Sequence, residues 1–486
     1  MYILALEAST SAAKAVIYKK DEGIIATAGE SYPENISNVI TQEPDEIYRV
    51  LIKCAKELLQ TVDVKIDGIG ISSTWHSLLY LDSDRRPIGR TLTWANTLAA
   101  ETVQTRRQDK DLGNWIYQKT GCPIHSMYPL WKWIHMKETG MVDPNAKYYY
   151  ISSQPEYIYE KMTGDIGVSR SVASGTGFMN IHTLDWDDEV LDMAGIEREQ
   201  LAPLYEPDHW APLCEEAARE LGLEAGIPVT IAGPDGALNQ IGAGAMGEGI
   251  MTLSVGTSGA LRIACDEPLL PEDPSTWCYY VGAGKRLAGA ATSGAGNCVQ
   301  WFARRLNQGR ASYKELDAMI EGVSLEDAPI FLPFLYGERC PGWEDSRLGG
   351  FQDLKGTHEI QHLYYAVLEG ILFNLYQCYE ILAEVGEEPK EIRISGGIEN
   401  SPIWLQMAAD IFQRDIYTSR IEHASIMGAV VVTLKALGAL ESLEDFKMPS
   451  GDRIVPDQSK IEIYQKRFAR YKEWYKKTSK RGLVEC

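Results

Sequence analysis

No apolar run in this chain reaches the length of a membrane-spanning helix. No basic stretch precedes the opening MYILALEAST, which enters a strand pattern at once, so a secretory leader is not expected. The nine cysteines (54, 122, 214, 265, 278, 298, 340, 378, 486) are scattered, odd in number and never spaced CxxC. That pattern argues against a zinc ribbon or a disulfide framework and fits reduced thiols in a cytoplasm. Positive charge is in deficit: 47 Lys and Arg stand against 68 Asp and Glu, a net charge of −21. A field of that sign disfavours nucleic-acid phosphates and anionic lipid, so neither is expected as a partner. An anionic small substrate would need local donors or metal ions to overcome it. There is also no GxGxxG between the first strand and the first helix, which argues against a Rossmann unit.

What is present is globular: 486 residues, 45% hydrophobic and 24% charged, a length that predicts two large domains. The opening alternates strands and turns: ILALE, the small-residue turn STSAA, KAVIYKK, DEG and IIATAGESY. From Pro44, the stripe Ile47, Val50, Leu51, Cys54 and Leu58 predicts an amphipathic helix, and IDGIGISSTWHSLLYLD then reads as a strand pair. The second half carries three long helical patterns: LYYAVLEGILFNLYQCYEILAE, IWLQMAADIF after Ser401-Pro402, and IMGAVVVTLKAL stopped at Gly438. The basic segment KIEIYQKRFARYKEWYKKTSKRG predicts a terminal helix docked through Ile463, Phe468 and Tyr471.

The two halves share a pattern. Ser9-Thr10-Ser11-Ala12 aligns with Gly256-Thr257-Ser258-Gly259, and an apolar strand flanks each turn on both sides. Two copies of one α/β plan are the simplest account, with a boundary near residue 245 in a Gly/Ala run suited to a hinge. Turns built from Ser, Thr, Gly and Ala leave N–H groups and hydroxyls uncovered and suit phosphate oxygens. Glu7 ends the strand before the first turn, where a carboxylate can order a magnesium hydration shell. Lys14 begins the next strand and can offset phosphate charge; a solvated strand lysine is the plainer reading. IAGPDGALNQIGAG (231–244) sets Asp235 between a proline and a glycine, which is ordinary turn chemistry when taken alone.

These stretches, with GISSTWHSLLYLD, LTWAN, TGCPIHSMYPLWKWI, FLPFLYGERCPGW, LGGFQDLKGTHEIQHLYYAVLEG and SGGIENSPIWLQMAAD, resemble FGGY carbohydrate kinases in order along most of the chain. That family lies within the actin–hexokinase–chaperone ATPase superfamily. The resemblance implies two duplicated ribonuclease-H-like domains (1–245 and 246–486), a cleft between them, ATP with magnesium, and a small sugar or sugar acid as substrate. Asp235 would be the general base. Ser9, Thr10, Ser11, Lys14, Gly256, Thr257 and Ser258 would hold phosphates, and Gly296, Gln300, Gly396, Gly397 and Asn400 would border the nucleotide. Trp75, His76, Trp94 and Asn96 would face the sugar, and Glu7 and Asp235 the metal. A homodimer is the expected assembly.

The chain departs from the family pattern at Glu7 for the usual Asp, at Ser9 for glycine, at Asn96 and Leu98 for Asp and Arg, and at His135 for tryptophan. His76-Ser77, TGCPIH and MYPLWK look most like the gluconate-phosphorylating members, and a sugar acid would draw on His76, Asn96, His125 and Lys132 as donors. A xylulose, other ketopentose or polyol kinase is the alternative. A non-catalytic ATP-binding module is the second, and a zinc site at His358-Glu359-Ile360-Gln361-His362, with Glu380 as a distant third ligand, is a further rival.

Overall fold

The computed structural model describes residues 1–143, 150–419 and 423–479. In chain order its principal elements begin with β1 (Tyr2–Ala8), β2 (Ala12–Lys19), β3 (Gly23–Ser31), α1 (Pro44–Leu59), β4 (Gly68–Ser73) and α2 (Gln154–Thr163). β5 (Pro228–Thr230), β6 (Gly233–Pro234) and α3 (Asp235–Gly242) follow. The second half contributes β7 (Ile250–Val255), β8 (Gly259–Cys265), β9 (Lys285–Thr292), α4 (Gly296–Trp301), α5 (Ile360–Val385) and β10 (Glu391–Ser395). It ends with α6 (Pro402–Phe412), β11 (Ile416–Thr418), α7 (Ala424–Ala436) and α8 (Ile461–Thr478).

The chain forms two compact units. In the first, the sheet runs β5-β4-β1-β2-β3, with Trp210–Pro212 beyond β5. β1, β2 and β3 form an antiparallel meander, and β4 and β5 add parallel to β1. The second unit runs β9-β8-β7-β10-β11, with β7 antiparallel to β8 and parallel to β10, and β10 parallel to β11. Both sheets therefore read third-second-first-fourth-fifth in their own order, the ribonuclease-H-like plan. The duplicated α/β architecture inferred from the matching turns is present.

Two segments of the second half belong to the first unit: Cys265–Leu287 and the stretch carrying α7, up to Met448. The reason lies in the two faces of β1. Leu4, Leu6 and Ala8 enter a core with Ile47, Leu51, Leu58 and Ile158, beneath α1 and α2. Ile3 and Ala5 point the other way and, with Val16, pack under Ile426, Met427, Val430 and Leu434 of α7. The first sheet is apolar on both sides, and α7 supplies the second cover. α7 also lies close on β4, where a Cβ at Gly70 would stand 2.7 Å from the Ala429 carbonyl oxygen.

One expectation is corrected here. The strand after β4 (Leu79–Leu81) does not pair with it; it leaves the sheet and pairs with Tyr150–Ser152. The intervening loop holds Trp75 and His76, whose aromatic contacts replace a hairpin. In the second unit, Phe468 and Tyr471 of α8 are buried and Ile463 half-buried, so the terminal helix docks as its pattern predicts. No described helix is long and apolar enough to cross a membrane.

Candidate active site

In the first unit, three strands end side by side. Ala8 pairs with Ser73 and Ser73 with Pro234, so the turn after β1, the loop after β4 and Asp235 after β6 leave the sheet together. The carboxyl edge of a parallel sheet is where α/β proteins bind ligands. Asp235 is the first residue of α3 and half-buried, and its Oδ1 accepts the Gly236 N–H at 2.7 Å. A carboxylate there is favoured by the helix dipole.

The first turn is braced by side chains. Ser9 Oγ donates to the Ala12 carbonyl (2.8 Å) and accepts the Ala12 N–H (3.1 Å), so its hydroxyl closes its own turn. The buried Gln42 amide donates to the carbonyls of Ser9 (3.0 Å) and Thr10 (3.2 Å). Ser37 Oγ also donates to the Thr10 carbonyl, at 2.6 Å. Trp94 Nε1 donates to Thr10 Oγ1 at 3.1 Å, which ties this proposed sugar residue to the phosphate turn. Ser11 is exposed.

His76 adopts a left-handed backbone (φ 59°) and its Nδ1 lies 2.6 Å from the Gly175 carbonyl. That acceptor assigns a proton to Nδ1. The ring stacks on Trp75 (5.3 Å, 11°) and meets Tyr128 edge-on at 5.3 Å and Tyr279 at 5.4 Å. Tyr128 and Tyr279 share a hydroxyl hydrogen bond of 2.6 Å, and Trp277 stacks on Tyr279 at 4.5 Å. Gly175 is required: a Cβ there would lie 2.3 Å from Trp75 Nε1. Sequence reasoning missed Tyr279. Its only signal was the aromatic run WCYY, far along the chain from His76.

Asn96 is 8% exposed and locally engaged, donating to the Ile40 carbonyl (3.3 Å) and accepting the Leu98 N–H (3.0 Å). His125 is buried, with Nδ1 accepting the Met127 N–H at 3.2 Å. Lys132 is fully buried and donates to the Met127 carbonyl at 2.6 Å; burial pulls its pKa down to about 7. These three side chains brace loops in the folded chain.

Glu7 is 3% exposed. Its Oε2 accepts Lys14 Nζ at 3.0 Å, and its Oε1 accepts Ser72 Oγ at 3.5 Å and, at shorter range, Ser425 Oγ of α7. With these partners the carboxylate presents little to a metal ion. Among the described residues no group of three or more His, Cys, Asp or Glu is placed to hold one.

The second unit assembles its own turn. The Gly256 N–H bonds the Ser258 carbonyl at 3.0 Å, and Thr257 and Ser258 are exposed. The first N–H groups of α4 reach back to it: Gly296 to the Gly256 carbonyl (2.8 Å) and Asn297 to the Thr257 carbonyl (3.0 Å). A Cβ at Gly296 would lie 2.5 Å from the Gly256 oxygen, and one at Gly396 2.6 Å from the Val255 oxygen. Glu399 accepts the N–H groups of Gly396 and Ser419, each at 3.1 Å, and burial raises its pKa. Gly397, Asn400 and Gln300 are exposed beside these elements, and Asn400 Nδ2 donates to the Gly397 carbonyl at 3.3 Å. The structure thus brings Gly256, Thr257, Gly296 and Gly396 into contact.

The zinc rival fails on geometry. α5 begins at Ile360, so His358 precedes it, and His358 Nδ1 accepts the Lys355 N–H at 3.1 Å. His362 Nδ1 accepts the Glu359 N–H at 3.0 Å as part of the helix cap. The His358 side chain is 1% exposed. Glu380 pairs with Lys472 at 3.0 Å.

The amino-terminal domain model of the FGGY family of carbohydrate kinases matches residues 2–242, and the carboxy-terminal domain model matches residues 251–437. The chain belongs to the FGGY carbohydrate kinases. This FGGY kinase is 30% identical over 462 residues to a gluconokinase of Bacillus subtilis (strain 168), across 91% of this chain and 89% of the relative. Two solved structures from Lactobacillus acidophilus, described as a gluconate kinase and a ligand-bound xylulose kinase, superpose equally. Each gives a TM-score of 0.91 at 29% identity over 97% of both chains. The FGGY kinase is accordingly a phosphotransferase acting on a sugar or sugar acid.

Proposed function

We propose that this kinase converts D-gluconate and ATP to 6-phosphogluconate and ADP, with Asp235 as general base. The observation that carries the mechanism is the position of Asp235: first in α3, at the carboxyl edge of the sheet, with β4 between it and the strand that leads into the Ser9–Ala12 turn. Gluconate is chosen over a ketopentose on the gluconokinase relative at 30% identity.

In the step proposed, the substrate O–H gives its proton to the Asp235 carboxylate as the oxygen attacks the γ-phosphorus. The new O–P bond forms in line as the bond to the β,γ-bridging oxygen breaks, and ADP leaves with that electron pair. In the first unit Thr10 and Ser11, and in the second unit Thr257 and Ser258, carry hydroxyls and N–H groups suited to phosphate oxygens. Asp235 is the carboxylate that would hold magnesium brought in with ATP, and the ion would supply positive charge to the phosphate oxygens when bound. His76, fixed by Gly175 and flanked by Trp75 and Tyr128, is the imidazole proposed to face the substrate.

ADP release measured across gluconate, xylulose, ribulose, glycerol and erythritol tests the assignment. Gluconate is expected to give the highest kcat/KM; a higher value for xylulose transfers the assignment to the ketopentose kinases. Absence of sugar-dependent turnover would identify a nucleotide-binding module instead. Asp235→Ala is expected to bind ATP normally while turnover falls about 10²–10⁴-fold. Near-wild-type turnover removes Asp235 from the mechanism.

A further inference from the structure

Glu7 shares the parity of Ile3 and Ala5, so its side chain emerges on the face of β1 that α7 covers. It sits opposite Lys14 on β2 and beside Ser72 on β4, and bonds to both. Its third partner, Ser425, lies in the first turn of α7. Three of the about four lone-pair sites of a carboxylate are thereby used. An aspartate, one methylene shorter, would retract from Ser425.

α7 in turn lies against α3 with almost no side chain between them. A Cβ at Gly242 would stand 1.9 Å from the Ala424 carbonyl oxygen, and one at Gly428 2.0 Å from the Leu238 carbonyl oxygen. Backbone touches backbone at this crossing, so a displacement of the start of α7 is passed directly to the helix that carries Asp235.

We propose that Glu7 and Ser425 are a positioning pair: their hydrogen bond fixes the start of α7 on β1 and thereby the placement of α3 and Asp235. Glu7 is not a ligand of magnesium. The inference rests on Asp235 as the base and assigns the first-strand acid of this chain a mechanical role.

The test uses the full-length protein with Ser425→Ala, Ser425→Thr, Glu7→Gln and the double variant Glu7→Gln/Ser425→Ala. Ser425→Ala is expected to lower kcat about tenfold, the scale of a lost hydrogen bond to a charged group, with both KM values within about twofold. Ser425→Thr, which keeps the hydroxyl, is expected to recover most of the rate. The double variant should be no slower than Glu7→Gln, because both changes remove one contact. Mn²⁺ affinity of the protein–ADP complex, read by electron paramagnetic resonance, should be the same in Glu7→Gln as in wild type. Hydrogen exchange in residues 235–242 should be faster in Ser425→Ala.

A tenfold or greater loss of Mn²⁺ affinity in Glu7→Gln would overturn the proposal, because it makes the acid a metal ligand. Unchanged exchange in α3 of Ser425→Ala would overturn it as well. Wild-type turnover of Asp235→Ala would sink the base assignment, while the exchange measurement still decides whether the pair holds α3.

Discussion

The two turns proposed to hold phosphate occupy equivalent places in two copies of one sheet and are held in different ways. The turn at Ser9–Ala12 has backbone bonds from Ser9 N–H to the Ala12 carbonyl (3.0 Å) and from Tyr32 N–H to the Ser11 carbonyl (2.9 Å), and side chains add to them: Gln42, Ser37 and Trp94 each hydrogen-bond its backbone or hydroxyl. The turn at Gly256–Ser258 is braced by backbone, through the N–H groups of Gly296 and Asn297, with Gly396 lying against Val255. The first should fail when atoms are removed around it, and the second when atoms are added.

The strongest break is expected from an added methyl group. Gly296→Ala places a Cβ 2.5 Å from a backbone oxygen that cannot swing away. Overpacking of this kind costs about 1–3 kcal/mol, so the KM for ATP should rise about 30-fold in steady-state kinetics. Gly396→Ala, which meets Val255 in the same way, should behave alike. Next is Gln42→Ala, which removes the side-chain donor from the Ser9 carbonyl and one of two from the Thr10 carbonyl, which keeps Ser37 Oγ. An unmet buried acceptor costs about 1–3 kcal/mol, and a rise of about tenfold in the KM for ATP is expected. Ala at 42 with an unaltered KM would mean that the first turn holds itself. The smallest effect is that of Trp94→Phe, which removes only the indole N–H from Thr10. A loss near 1 kcal/mol, about a fivefold rise in the KM for ATP, is the expected result. If the sugar KM rises instead, Trp94 serves the substrate rather than the turn.

Much of this frame was legible in the sequence because short-range pattern determines it. The strand–turn–strand openings, the stripe of α1, the start of α6 at Ser401-Pro402 and the stop of α7 at Gly438 all follow from neighbours in the chain. Asp235 is singled out through the family resemblance; its proline–acid–glycine neighbourhood alone reads as a turn, whereas the structure makes it the first residue of α3. The contacts that join distant residues were not legible. Ser425 against Glu7, Tyr279 against His76 and Gln42 against Thr10 are set by sheet register and helix placement, which no local window contains. Lys132 shows the same limit from the other side. Its ammonium group suggested a donor for a sugar acid, yet its helix buries it completely against the Met127 carbonyl. The HExxH pattern was misleading for a related reason: the two imidazoles do stack, but each Nδ1 accepts a backbone N–H and Glu380 is paired with Lys472, partners that the motif does not contain.

The return of α7 to the first unit has a consequence for synthesis. A nascent chain that has emerged only as far as Gly247 has one face of its first sheet bare, with Ile3, Ala5 and Val16 unmatched and Gly68 and Gly70 open to any helix that arrives. The cover is translated nearly last. The amino-terminal unit therefore matures after most of the carboxy-terminal one has been made, and a nascent chain stalled before α7 presents an adhesive surface to chaperones.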